Sequence, residues 1–307
     1  MFRMKFIPVV MTAILLSASA FAGNSSTTFE TIGNPADPTF NQLLGIDNNG
    51  VISGYFGSGA AGHPNRGYTI AQPYDTFVPD NLPGSVQTQA TGIANNGTTV
   101  GFWSPTNTGT DTNFGFIREA NGFTYLSVNN PLAAGSPEVN QLLGINQSNI
   151  AVGFYNDADG ASHGYAYSVK TGVFTPVNVT NAVSDAATGI NSNNLICGFF
   201  TNSSGRTLGF LKLLTGGKAI VFSVPGMMVT QFLGVNDSGV AVGFYADSNG
   251  LNHGVVYNPV NGQWVTVDDP SGVNGTVLNG INDNNNAVGF YTDAANNTHG
   301  TLVTGVE

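Results

Sequence analysis

The chain has 307 residues, of which only 8% are charged, with a net charge of −10 and a mean hydropathy of +0.05. Phosphates need clustered Lys and Arg, so this balance excludes nucleic acid and anionic membrane as partners. A single cysteine excludes an internal disulfide framework.

Residues 1–22 read as a signal peptide. Arg3 and Lys5 give a basic start, Phe6 to Leu16 an apolar run, and Ala20-Phe21-Ala22 a small-residue cleavage site. The run is too short to span a membrane well, and no later segment is apolar enough to insert. Export is therefore expected, to the periplasm or outside the cell. Residues 23–307 follow with no linker or shift in composition, as one domain, and losing Arg3 and Lys5 takes the net charge from −10 to −12.

Six copies of one unit occupy that domain. They align on Gly45, Gly92, Gly144, Gly189, Gly234 and Gly280, at spacings of 47, 52, 45, 45 and 46 residues. A second glycine follows nine residues later every time, at Gly54, Gly101, Gly153, Gly198, Gly243 and Gly289. A third lies 11 to 14 further on, at Gly67, Gly115, Gly164, Gly209, Gly254 and Gly300. Glycine abundance alone cannot place six pairs at one fixed offset, so the repeat is real.

Each copy reads as four short strands, rich in Val, Phe and Tyr and bounded by Asn, Asp, Ser and Gly. Asn236-Asp237-Ser238-Gly239 and Asn258-Pro259-Val260-Asn261-Gly262 have the composition of tight turns. Four strands per unit of this length predict an all-β fold, a six-bladed β-propeller of four-stranded antiparallel blades. The sixth copy lacks its fourth strand, while Thr28 to Pro35 matches the F-x-x-V-x-x-P pattern of that strand. The N-terminal strand is thus expected to complete the last blade and close the ring.

The second copy is longer than the others. Ser104 to Asn113 extends its middle loop, and Asn129 to Glu138 extends the connection to the third copy. Both fall on one face of a propeller, where extra loop length marks a binding face or a tolerated insertion.

Four residues before the first glycine stand Asn41, Thr88, Asn140, Asp185, Thr230 and Thr276, polar in all six copies. Three before stand Gln42, Gln89, Gln141 and Gln231, with Ala186 and Val277 as exceptions. With the first strand innermost, these residues would ring the mouth of the central channel. Uncharged amides and hydroxyls there suit a glycan or another polar ligand. They equally suit a water-filled tunnel and the completion of backbone hydrogen bonds.

Asp157 and Asp159, in Asn156-Asp157-Ala158-Asp159-Gly160, could present carboxylates to calcium. Two are few, and Asx residues before glycine also make ordinary turns, so no cofactor is otherwise expected. His163, His253 and His299 hold equivalent places on different blades, too far apart to share a metal, and are expected to bond to a neighbouring turn, as ends of the third strand. Cys197 replaces a valine of other copies and reads as a buried apolar group. Trp103 and Trp264 fall on strands and read as packing residues. No catalytic motif is present, and Asp185 is the only acid of the predicted ring.

The stretch G-I-N-x-x-x-x-x-V-G-F-Y followed by H-G-Y, best carried by residues 144–165 and 234–257, resembles the HAF-type extracellular repeats of exported bacterial proteins. Weaker copies extend the resemblance over about 40–307, with the H-A-F tripeptide replaced by His163-Gly164-Tyr165, His253-Gly254-Val255 and His299-Gly300-Thr301. The resemblance implies export and a repeated β fold, and it brings no catalytic residues. The expected function is non-catalytic binding of an extracellular glycan, cell envelope or surface protein. The alternatives are a secreted polysaccharide hydrolase or lyase using Asp185, and a self-associating surface component.

Overall fold

Segments of Val, Ile, Phe and Tyr interrupted by glycine cannot bury an apolar stripe as helices, and as extended chain they can bury both faces. The computed structural model describes residues 27–107 and 112–306, and there they form 24 strands and no helix. The predicted signal peptide lies outside the described residues.

The strands fall into six antiparallel groups of four. The first sheet holds Asn41–Ile46, Ile52–Phe56, Arg66–Ile70 and Phe77–Pro79, and the second Gln87–Ile93, Thr99–Ser104, Phe114–Arg118 and Tyr125–Val128. The third holds Asn140–Ile145, Ile150–Asn156, Ser162–Ser168 and Val173–Pro176. The fourth comprises Ala182–Ile190, Leu195–Asn202, Thr207–Leu213 and Ile220–Phe222, and the fifth Val229–Val235, Ala241–Ala246, Asn252–Asn258 and Gln263–Thr266. One parallel pairing, Thr207 with Val229, joins these two into a continuous ladder. In the sixth, Thr276–Ile281, Ala287–Thr292 and Thr298–Thr304 are completed by Thr28–Ile32 from the other end of the chain. That strand runs in register from Thr28 opposite Thr304 to Ile32 opposite Gly300, where the sequence placed it.

The first strand of every sheet carries a bulge just before its aligned glycine, as between Leu43 and Gly45 and between Phe232 and Gly234. The bulges turn the glycines toward one another. A Cβ on Gly45 would lie 2.9 Å from the Cα of Gly92, one on Gly92 3.0 Å from Gly144, and one on Gly144 3.0 Å from Gly189. The series continues from Gly189 to Gly234 at 3.2 Å, from Gly234 to Gly280 at 2.9 Å, and from Gly280 back to Gly45 at 3.2 Å. No residue with a side chain fits there.

Two residues on, the Asn of the G-I-N motif ties each of the third to sixth sheets to the next. Asn146, Asn191, Asn236 and Asn282 donate Nδ2–H bonds to the carbonyls of Asn191, Asn236, Asn282 and Asp47, at 3.0, 2.8, 3.3 and 2.9 Å. The Oδ1 of the same residue closes its own turn: that of Asn191 accepts from the N–H groups of Asn193 and Leu195. One side chain thus shapes a turn and fixes its neighbour.

The apolar core is a set of layers between sheets rather than one centre. Ile32, Leu43, Tyr68, Val288 and Leu302 pack the sixth sheet on the first. Comparable layers join second to third, third to fourth, fourth to fifth and fifth to sixth. Cys197 lies fully buried in one of them, and burial pushes its thiol up to about 12. A buried polar network crosses from the first sheet to the second: Asp80 accepts from Thr99 Oγ1 at 2.6 Å and Tyr125 OH at 3.0 Å, with Arg118 Nε 3.4 Å away.

Candidate functional site

The axis itself has little room. The six glycines and the residues after them (Ile46, Ile93, Ile145, Ile190, Val235 and Ile281) line a cavity of about 70 Å³. That volume admits a few waters and no sugar ring.

The polar residues four before each glycine do not line it. All six are buried and bind across the seam to the preceding sheet. Asn41 donates to the Ile32 carbonyl at 2.7 Å and accepts from Tyr68 OH at 2.6 Å. Asn140 donates to the Val128 carbonyl at 2.8 Å and accepts from Tyr165 OH at 3.0 Å. Thr230 and Thr276 accept backbone N–H bonds from Val224 and Asp269, both at 3.0 Å, and Thr88 shares a 2.7 Å bond with Ser85. Asp185 accepts from the Gly164 N–H at 2.7 Å. Five of the six complete backbone hydrogen bonds, one of the two roles open to them from the sequence, and Thr88 pairs with a side chain instead.

The glutamines three before the glycine are half-buried, while Ala186 and Val277 are buried. Gln89 donates to Asn65 Oδ1 at 2.9 Å and Gln141 to Asn113 Oδ1 at 2.6 Å, each reaching the preceding sheet. Gln42 and Gln231 stand at the corresponding places of the first and fifth sheets.

Two larger cavities open on the face that carries the lengthened loops. The first, about 310 Å³, lies between the first and second sheets and is lined by Asn65, Thr88, Gln89, Phe102, Trp103 and Asn113 among others. Among the described residues its lining holds no charged side chain. The Trp103 indole packs on Phe114 with ring centres 5.2 Å apart, and its N–H is buried without a hydrogen-bond partner among the described residues. Trp103 occupies the place of Tyr155, Tyr245 and Tyr291, two residues after the second glycine. That shared position was the sequence signal for a residue facing this side.

The second cavity, about 440 Å³, lies where the long connection after the second sheet meets the third and fourth. Asn130, Leu132, Tyr155, His163, Phe174 and Asp185 are among its lining residues. Burial pushes the Asp185 carboxyl up to about 6. In the first, second and fifth sheets the third glycine's N–H is met by the side chain 14 residues later: Asn81, Asn129 and Asp268. At Gly164 that partner would be Asn178, but Asn178 is exposed and Asp185 of the fourth sheet replaces it.

This environment has a measurable consequence. The folded pKa of Asp185 lies above its unfolded value, so its contribution to stability is complete below the unfolded pKa and is lost as pH rises through about 6. Asp185→Asn, which keeps an oxygen for Gly164, is expected to raise stability by about 2 kcal/mol near pH 8 and to change little near pH 4. Melts at the two pH values check this; an equal difference at both would count against it.

Beside the second cavity, Asp157 is fully engaged. Its Oδ1 accepts from the N–H groups of Asp159 and Ala161, both at 2.9 Å, and its Oδ2 lies 2.7 Å from His163 Nε2. The His163 bond first, then the backbone bonds, hold its carboxyl below the usual range. Asp159 sits at the exposed tip of that turn. No group of three or more His, Cys, Asp or Glu able to hold a metal occurs among the described residues.

Tyr155 packs on His163 at 5.3 Å, and this grouping of Tyr, His and Asp recurs. His299 packs against Tyr291 at 5.1 Å and meets Asp293 at 3.0 Å. His253 stacks on Tyr245 at 5.0 Å, lies 3.8 Å from Asp247 of its own turn, and meets Asp268, beyond the fourth strand, at 2.7 Å. The recurrence marks a structural clasp on the turn between second and third strands.

No family model and no curated protein matches the sequence. Solved structures do match. TolB from Acinetobacter baumannii superposes with a TM-score of 0.57 at 7% identity, over 88% of this chain and 66% of its own. The chain therefore spans just under two thirds of TolB. AofleA from Arthrobotrys oligospora gives 0.54 at 10% identity, over 90% of this chain and 86% of that one. A triple arginine-to-alanine variant of AofleA gives 0.52 at 9% identity with the same coverage. At such identities the likeness is one of fold: an all-β repeat protein of propeller type. No helix among the described residues is long and apolar enough to cross a membrane.

Proposed function

We propose that the chain is an exported, closed, six-bladed propeller that binds a neutral glycan in the cavity between its first and second sheets. Closure is supported by the glycine series that returns from Gly280 to Gly45 and by the pairing of Thr28–Ile32 with Thr298–Thr304. The ligand class is carried by one observation: the Trp103 ring stands beside the amides of Asn65, Gln89 and Asn113, and no charged side chain lines the cavity among the described residues. A sugar offers a C–H face to an aromatic plane and hydroxyls to amides, which both donate and accept. The cavity volume of about 310 Å³ suits one or two sugar units. The propeller's rigid sheets hold these groups in place without any ligand.

The test is binding of residues 23–307 to a panel of glycans and envelope polysaccharides, with calcium and with chelator. Trp103→Leu and Gln89→Ala are each expected to weaken a hit by about tenfold or more. A blank panel, or hits indifferent to both substitutions, overturns the reading. Release of soluble sugar from a bound polysaccharide would favour the hydrolase or lyase alternative, and loss of that release in Asp185→Asn would identify its acid.

A further inference from the structure

We propose that the cavity beneath Leu132 is a second site, one that takes an organic cation, a small ammonium group held between the Asp185 carboxylate and an aromatic wall. Asp185 is 8% exposed, and only its Oδ1 has a hydrogen-bond partner, the Gly164 N–H; its Oδ2 has none among the described residues. The only acid among the six equivalent positions thus keeps an unmet oxygen in a residue that lines a cavity. Among the described residues no cation is paired with it directly: His163 is bound to Asp157, and Lys212 donates to the Gly217 carbonyl.

The rest of the lining matches a cation with an apolar skirt. The partly exposed rings of Tyr155 and Phe174 flank the buried Tyr165, with ring centres 6.3 and 5.4 Å from it. Ring faces attract an ammonium through their quadrupole, and more so where water is partly excluded. Pro131 and the exposed Leu132, from the lengthened connection, supply the apolar side. The neutral first cavity has amides where this one has a carboxylate, so the two sites select opposite chemistries.

The probe is choline, compared with its uncharged carbon isostere dimethylbutanol, followed by NMR on residues 23–307 at neutral pH. Choline is expected to shift signals of Tyr155 and Phe174 and to bind about tenfold more tightly than the isostere. Asp185→Asn should remove that difference, and Trp103→Leu should leave it unchanged. Equal binding of the two probes, no binding of choline, or choline binding indifferent to Asp185→Asn would overturn the proposal.

A second readout needs no variant. The carboxyl carbon of Asp185 reports its titration, and bound choline should move its midpoint below the value of about 6. The other groups whose charge reaches Asp185 are His163 and Lys212, and Tyr155 lies within its field. An Asp185 midpoint unmoved by choline would also overturn the proposal. Failure of the glycan panel leaves this result untouched, since the two cavities share no lining residue.

Discussion

Gly243→Ala is expected to cost about 3 kcal/mol or more, among the largest effects of any single methyl in the chain. A Cβ there would fall 1.8 Å from the Gln231 carbonyl oxygen and 2.9 Å from the Phe232 Cα. Both are backbone atoms of the adjoining strand, held by the bulge, so no side chain can swing aside. Val260→Ala, at a turn residue that is 86% exposed, serves as the control and should stay within about 0.5 kcal/mol of the parent. Denaturant melts of the two variants decide it. A Gly243→Ala chain as stable as the Val260→Ala chain would mean that the strand pair can separate freely.

Removing the N-terminal strand is the second large effect. Without residues 23–33 the outer edge of Thr298–Thr304 loses its partner, and Ile32, only 4% exposed, leaves the layer it shares with Leu43 and Leu302. Apolar burial and a bared strand edge together put the loss at about 5 kcal/mol, or ~10 °C in Tm for a chain of this size. A peptide spanning residues 27–34 added in trans should recover part of it. An unchanged Tm would sink the closed ring.

Much of this was legible in the residues. The glycine offsets located the strands, and the expected fourth strand of the sixth copy was placed in residues 28–35, of which Thr28–Ile32 pairs there. The reason for the glycines was less visible. Small-against-large packing explains a glycine beside Phe244, yet the space at Gly243 is taken by a carbonyl of its own sheet. Nor could the sequence foresee the bulge, which adds a residue ahead of each aligned glycine and changes which side chains turn toward the axis. Hence Asn41 and its equivalents, set by spacing around a channel mouth, lie in the seams instead.

The cavities were hidden for another reason. Trp103 and Asn65 come from different sheets 38 positions apart in the sequence (103 less 65). Nothing local in either segment announces the other. Only the two lengthened loops of the second copy hinted at the side on which they meet, and both cavities border them.

The seam between the first and second sheets combines the buried Asp80 network with the cavity beside Trp103. Polar contacts next to a solvent-filled space yield to water more readily than packed apolar layers do. Amide protons of Gln87–Ile93 should therefore exchange sooner than those of Val229–Val235, marking a region of low local opening energy. A ligand seated across that seam would draw the two sheets together and slow the exchange. The place where the ring breathes most easily is then the place where binding would be felt as stiffening.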